Sequence, residues 1–206
     1  VSNLMSKRHK GVLTGSDLTD VRITLIGGKA HLKHTEGGDF RKASIRAVRQ
    51  ALMKAENILL EPVYEFRVEL PRVSLGMVMT DVEKMSGHLD PPEYEGDRAV
   101  ITGIVPVSEW GDYALKVRAS TAGDGTTTVV PAGYRPCHNT AAVIEERGYD
   151  AASDLRNPSS SVFCSHGSGV TIPWDEAEAR MHVEIDWQPD PGEPTPYPDA
   201  AVCHPA

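Results

Sequence analysis

The side chains best suited to chemistry cluster in a few places along the 206 residues. Cys137-His138 and Cys164-Ser165-His166 together offer two thiols and two imidazoles, a donor set suited to tetrahedral Zn²⁺ if the segments meet in space. Neither pair has C-x-x-C spacing, and ordinary buried thiols with surface histidines account for the same residues, so the expectation is no bound metal. His166-Gly167-Ser168-Gly169 places a serine between glycines, but no G-x-S-x-G elbow occurs, which disfavours serine hydrolysis. No G-x-x-x-x-G-K-[S/T] loop is present either, so these residues cannot hold and hydrolyse a nucleoside triphosphate by themselves. What remains is binding chemistry. His31, Lys33, His34 and Arg41 lie close together in sequence. Farther on, Arg118-Ala119-Ser120-Thr121-Ala122-Gly123-Asp124-Gly125 offers a cation, two hydroxyls and permissive glycines. Phosphates are met by such groups presented from a rigid loop that glycine lets approach closely.

The elements that must position these residues can be read from periodicity. Asp39 is a natural N-cap for a helix in which Phe40, Ile45, Val48, Leu52 and Ala55, with Ala47 and Ala51, share one face. Arg41, Lys42, Arg46, Arg49 and Lys54 crowd the other. Glu61-Pro62 stops the helical pattern, and Val63–Leu70 alternates as a half-buried strand. Upstream, Ser2–Lys10 reads as the end of a helix. Thr19–Ile26 alternates as a strand, and Gly27-Gly28 turns it into a short arm at Lys29–Lys33. This order sets His31, Lys33, His34 and Arg41 around one exposed end.

Residues 61–132 read as β-α-β-β-α-β. The strands are Val63–Leu70, Gly87–Leu89, Arg98–Val105 and Thr126–Val130. One helix runs from about Val73 to Met85 and another from Pro106 to about Ser120. That is the ferredoxin-like split βαβ order, within an α+β chain. Each helix has one apolar stripe, so both should cover a single face of the sheet. Farther on, Thr140–Arg147 reads as a helix closed by Gly148. Ser161–Cys164 and Gly169–Ile172 read as a hairpin, and Trp174–Val183 as a last helix. From Asp186 an acidic run rich in proline predicts disorder or extended polyproline conformation.

Composition sets the outer bounds. No apolar run reaches the ~20 residues of a membrane helix, and no signal-peptide pattern follows Val1. Three widely spaced cysteines argue for a reducing, cytoplasmic setting. The formal net charge is −8, unevenly spread. Residues 1–60 carry eleven Lys/Arg against five Asp/Glu, whereas residues 136–206 carry three against twelve. A basic head on an acidic chain suits a polyanion met by one end, or equally a solvated helix face. A start at Val, mid-pattern, suggests part of something longer.

Several motifs then converge on one family. LLEPVYEFRVELP, the helix ending at Gly87, the strand ending IVPVSEW, Tyr113-Ala114 and the Arg118–Gly125 turn resemble the last domain of translation elongation factor G. GVLTGSDLTDVRITL and GGKAHLKHTEGGDFRKA resemble the second half of its fourth domain. Asp39-Phe40-Arg41 is similar to the ribosomal-protection branch typified by tetracycline-resistance proteins.

The resemblance implies a division into four parts. Residues 1–60 would be a partial α/β module of the fourth-domain type, with its tip loop at 29–41. Residues 61–135 would be the ferredoxin-like fifth domain, 136–185 a small extension and 186–206 a tail. It also implies a monomeric partner of the ribosome. The tip residues His31, Lys33, His34, Thr35 and Arg41 would enter the decoding centre. Arg118, Ser120, Thr121 and Gly123 would face rRNA of the large subunit near the GTPase-associated region. GTP and Mg²⁺ would belong to a nucleotide domain outside these residues. Two departures stand out. Asp124 occupies a position where the family carries Arg, and the tip loop lacks the protection proteins' proline. A stand-alone RNA-binding ferredoxin-like module stays open as the alternative.

Overall fold

The structure, a computed structural model, describes residues 1–30, 35–165, 167–181, 203 and 205. The chain divides into two compact units, one of residues 1–59 with 139–206 and the other of 60–138.

In the first unit, α1 (Ser2–Met5) is a single turn, and α2 (Asp39–Lys54) is the main helix. Asp39 does not cap α2. The N-cap position is Gly38, and the Asp39 carboxylate turns back to accept the Glu36 N–H at 2.9 Å, closing the loop that feeds the helix. The expected strand at 19–26 does not form. Residues 21–30 are exposed and irregular, with Leu25 64% exposed. Alternation specifies a strand only where a neighbour supplies the other half of the ladder, and none among the described residues does.

The second unit matches its sequence reading closely. It comprises β1 (Leu60–Pro71), a 3₁₀ turn (Arg72–Ser74), α3 (Leu75–Lys84), β2 (His88–Leu89), β3 (Glu93–Glu95), β4 (Arg98–Pro106), α4 (Val107–Trp110), α5 (Tyr113–Ser120) and β5 (Thr126–Pro136). The antiparallel sheet runs β2-β4-β1-β5, with β3 extending the β2 edge along β4. That is the ferredoxin-like order. Phe66, Val68 and Leu70 of β1 and Ala99, Ile101 and Val105 of β4 bury one face against Leu75, Val78 and Val82 of α3 and Val117 of α5. The ring of Phe66 stacks on Trp110 at 5.4 Å, and Trp110 meets Tyr113 edge-on at 5.0 Å. These aromatics explain why the expected single helix is two. The chain breaks at Gly111 (φ +46°, ψ −126°), which lets Trp110 and Tyr113 both turn inward. β5 also runs longer than its β-branched core. Its prolines are tolerated because it is an edge strand, and the β1–β5 register shifts between Pro62 and Tyr64.

Beyond residue 138, α6 (Thr140–Arg147) ends at Gly148 in the left-handed region, and β6 (Ser161–Ser165) pairs with β7 (Ser168–Ile172). The last helical segment is shorter than its pattern: α7 (Trp174–Ala177) gives way to a 3₁₀ turn at Glu178–Arg180. Val183, and all of the Pro-rich tail except residues 203 and 205, lie outside the described residues. The expected separate extension 136–185 instead shares a core with the N-terminal unit. Ala151, Tyr149 and Trp174 pack with Val12, Val48, Leu52 and Met53.

Candidate nucleic-acid interface

His31, Lys33 and His34 lie outside the described residues. Thr35 is half-buried just before α2, and Arg41 stands exposed in its first turn. The rest of the basic face of α2 is largely engaged within its own unit. Arg46 donates to the Ser160 carbonyl and hydroxyl, and Lys54 pairs with Glu178. Arg49, read as outward-facing, is only 4% exposed. Its guanidinium donates to the carbonyls of Lys10 (2.8 Å) and Gly11 (3.1 Å) and to the Tyr149 hydroxyl (2.6 Å), with a longer contact to Ala151 O (3.4 Å). Tyr149 in turn donates to Asp154 at 2.7 Å. Burial is the largest influence on Asp154 and opposes its charge. Hydrogen bonds from Asn157, Tyr149 and Arg156 outweigh it and hold the carboxyl well below the usual range. Arg41 and Lys42 remain as the exposed cations at the start of α2.

The Arg118–Gly125 turn is built differently from an open anion cradle. The N–H groups of Thr121, Ala122, Gly123 and Asp124 donate to Val117, Ala119, Arg118 and Thr121 carbonyls, capping the end of α5. Thr121 is buried. Its hydroxyl donates to Val117 O at 2.8 Å and accepts the Gly125 N–H at 2.7 Å. Ser120 donates back to Lys116 O and Val117 O. Thr121 and Gly123 therefore shape the turn, and the outward chemistry falls to Arg118, whose side chain is exposed. Because the turn follows a helix C-terminus, the backbone dipole there disfavours an anion, and the Arg118 charge opposes that dipole. Asp124 does not add an unpaired negative charge: Arg98 donates to its carboxylate at 2.8 Å and to its carbonyl at 3.2 Å.

The sheet face opposite the helices offers a second test. By register and alternation it presents Glu65, Arg67 and Glu69 of β1, Thr102 and Ile104 of β4, and Thr128 and Val130 of β5. None of these is Phe, Tyr or Trp, and Arg67 pairs with Glu69 at 2.8 Å. A sheet that reads single-stranded RNA stacks bases on such rings, and these positions carry none.

Of the residues able to hold a metal, Cys164 lies on β6 of the first unit and His166 outside the described residues. Cys137 and His138 instead meet Glu61 at one end of the β1–β5 pair. The sequence reading missed Glu61. Writing β1 and β5 as an antiparallel edge pair would have placed it opposite Arg135, two residues from Cys137.

The class these residues define is a split βαβ module with a capped, Arg-bearing turn, carried in the chain after a unit built on a basic helix. Residues 58–144 match the family model for the elongation factor G C-terminus, and residues 4–56 match that for elongation factor G, domain IV. The chain belongs to the elongation factor G family. It is 37% identical over 125 residues to elongation factor G 2 of Streptomyces coelicolor, covering 61% of this chain and 18% of that protein. It is 32% identical over 135 residues to the tetracycline resistance protein TetP of Clostridium perfringens, covering 66% and 21%. The chain thus spans about a fifth of the length of these curated relatives. A solved structure from Thermus thermophilus overlaps 44% of this chain and 14% of its own, with 28% identity and a TM-score of 0.41.

Proposed function

We propose that this chain is the ribosome-binding C-terminal portion of a translational GTPase of the elongation factor G type, acting in translocation or in ribosomal protection against tetracycline. One observation carries the reading: the fourth-domain and C-terminal models of one family match back to back, in residues 4–56 and then 58–144. The first unit would reach the decoding centre through the 29–41 loop, with His31, Lys33, His34, Thr35 and Arg41 lining it. The second would rest on large-subunit rRNA through Arg118 and Ser120, with Thr121 and Gly123 fixing the turn. GTP and Mg²⁺ do not fit the residues present, which contain no P-loop, and would belong to another domain of such a protein. Its setting would be the cytoplasm and its state monomeric. No described helix is long and apolar enough to cross a membrane.

The test is co-sedimentation of the chain with purified ribosomes over a salt series. Arg118→Ala should weaken binding roughly 5- to 10-fold and reduce the salt slope by about one. Arg67→Ala, on the sheet face, should change little. No binding at low salt, or equal losses from both variants, would overturn the proposal.

A further inference from the structure

We propose that Glu61, Cys137 and His138 form a binding site for one Zn²⁺ ion on the second unit. A carboxylate oxygen, a thiol sulfur and an imidazole nitrogen all lie within 4.8 Å of one another. Bond lengths of ~2.0–2.3 Å put the ligand atoms of a tetrahedral Zn²⁺ roughly 3.5 Å apart, so closure needs side-chain rotation rather than backbone movement. The backbone supporting the three is fixed. Glu61 lies on β1, paired with Arg135 of β5, and Cys137-His138 follow directly where β5 ends. The His138 N–H also donates to Glu61 Oε1 at 2.8 Å, tying the two segments together.

The ring of His138 is oriented from both sides. Its Nδ1 lies 2.8 Å from Glu61 Oε1, and its Nε2 lies 3.6 Å from Glu109 Oε1 on α4. With Nδ1 on the metal, Nε2–H points to Glu109, the carboxylate–histidine arrangement that fixes tautomer and ring orientation at zinc sites. The charge balance also favours a cation. Two carboxylates flank one imidazole, and Arg135, opposite Glu61 in the register, turns to the Tyr134 carbonyl instead. A sulfur, nitrogen and oxygen donor set selects Zn²⁺ over Mg²⁺ or Ca²⁺. Binding releases the thiol proton, and the single ring proton of a neutral His138 stays on Nε2, with water in the fourth position. This site shares only Cys137 and His138 with the quartet suggested by sequence. Cys164 has no part in it.

The experiment titrates the whole chain with Co²⁺ as a spectroscopic stand-in, then displaces it with Zn²⁺ against a chromophoric chelator. The expected result is one ion per chain, a thiolate-to-cobalt charge-transfer band, and d–d absorption of tetrahedral intensity. Cys137→Ser should abolish the charge-transfer band, while a Cys164→Ser/Cys203→Ser double variant should keep it. Glu109→Gln should weaken Zn²⁺ affinity roughly 10- to 100-fold without removing the band. Thermal melts of the variants without metal establish that each is folded. Absence of the band in the folded wild type, or its loss only in the Cys164/Cys203 variant, overturns the proposal.

Discussion

Arg49→Met tests how the segment beyond residue 138 is held to its unit. The guanidinium makes three good hydrogen bonds, to Lys10 O, Gly11 O and the Tyr149 hydroxyl, and one long one to Ala151 O. Methionine keeps much of the aliphatic packing but leaves those buried carbonyls without a donor. At ~1 kcal/mol net for each good bond the loss is ~3 kcal/mol. Some is offset, because the buried Arg49 Nε has no partner and its desolvation is relieved by the change. The expected destabilisation is therefore ~2–3 kcal/mol, confined to the unit of residues 1–59 and 139–206. Hydrogen exchange read by peptide resolves the two units where a global melt would blend them. Protection should fall over residues 144–157 and 8–14 and stay unchanged over 61–106. Arg49→Lys should behave almost as badly, since an ammonium cannot span four acceptors. A loss under ~0.5 kcal/mol, or Lys restoring full protection, would refute the view that the planar fork holds these segments together.

The same network predicts a pH dependence. The Asp154 carboxyl is held below its ordinary value when folded, so its contribution is present above about pH 4 and lost as pH falls through the folded value. Exchange protection of 149–157 should therefore drop between about pH 5 and pH 2 in the wild type, while Asp154→Asn should be weaker at neutral pH and lose less across that window, the remaining loss coming from Asp150, whose carboxyl is also held low by hydrogen bonds from Ser153 and Ala152. In the second unit, a Cβ on Gly103 would sit 2.1 Å from the His88 carbonyl and 3.0 Å from the Phe66 ring. Gly103→Ala should cost ~2–3 kcal/mol by prising β2 off β4, read as a lower urea midpoint, and a cost below ~1 kcal/mol would mean β2 is not held there.

How much of this could be read in advance depended on how local each determinant is. The second unit was legible because its strands alternate cleanly, its helices carry one stripe each, and Gly87 and Pro106 punctuate them. The break at Gly111 was not, since the apolar spacing across it still fits one helix and only the Phe66–Trp110–Tyr113 packing decides otherwise. For α2 the helix itself was plain but its faces were misjudged. Val48 and Leu52 are buried as expected, yet Ala47 and Ala51 are exposed, and Arg49 is covered by groups 100 residues away. Periodicity cannot see that distance. Thr19–Ile26 failed for the opposite reason: the pattern was right for a strand, but a strand is a property of a pair.

The placement of charge changes what the basic head can do. Residues 1–60 carry a surplus of Lys and Arg, but Arg46, Arg49 and Lys54 are bound within their own unit, and Arg8 and Lys10 both pair with Asp17. At the two candidate RNA-facing sites, the described exposed cations reduce to Lys29, Arg41 and Lys42 on the first unit and Arg118 on the second. Four neutralised phosphates would give a salt slope of only about −3 to −4. In the proposed ribosome-binding role, a chain with a net charge of −8 would gain little from bulk attraction to a polyanion, and recognition would rest on shape and on a few fixed cations at defined positions. In that role the capping of the Arg118 turn would matter. With its backbone donors satisfied internally, the turn cannot wrap a phosphate. It can only present the backbone from which Arg118 projects, and the Thr121 hydrogen bonds and the Arg98–Asp124 pair shape that backbone.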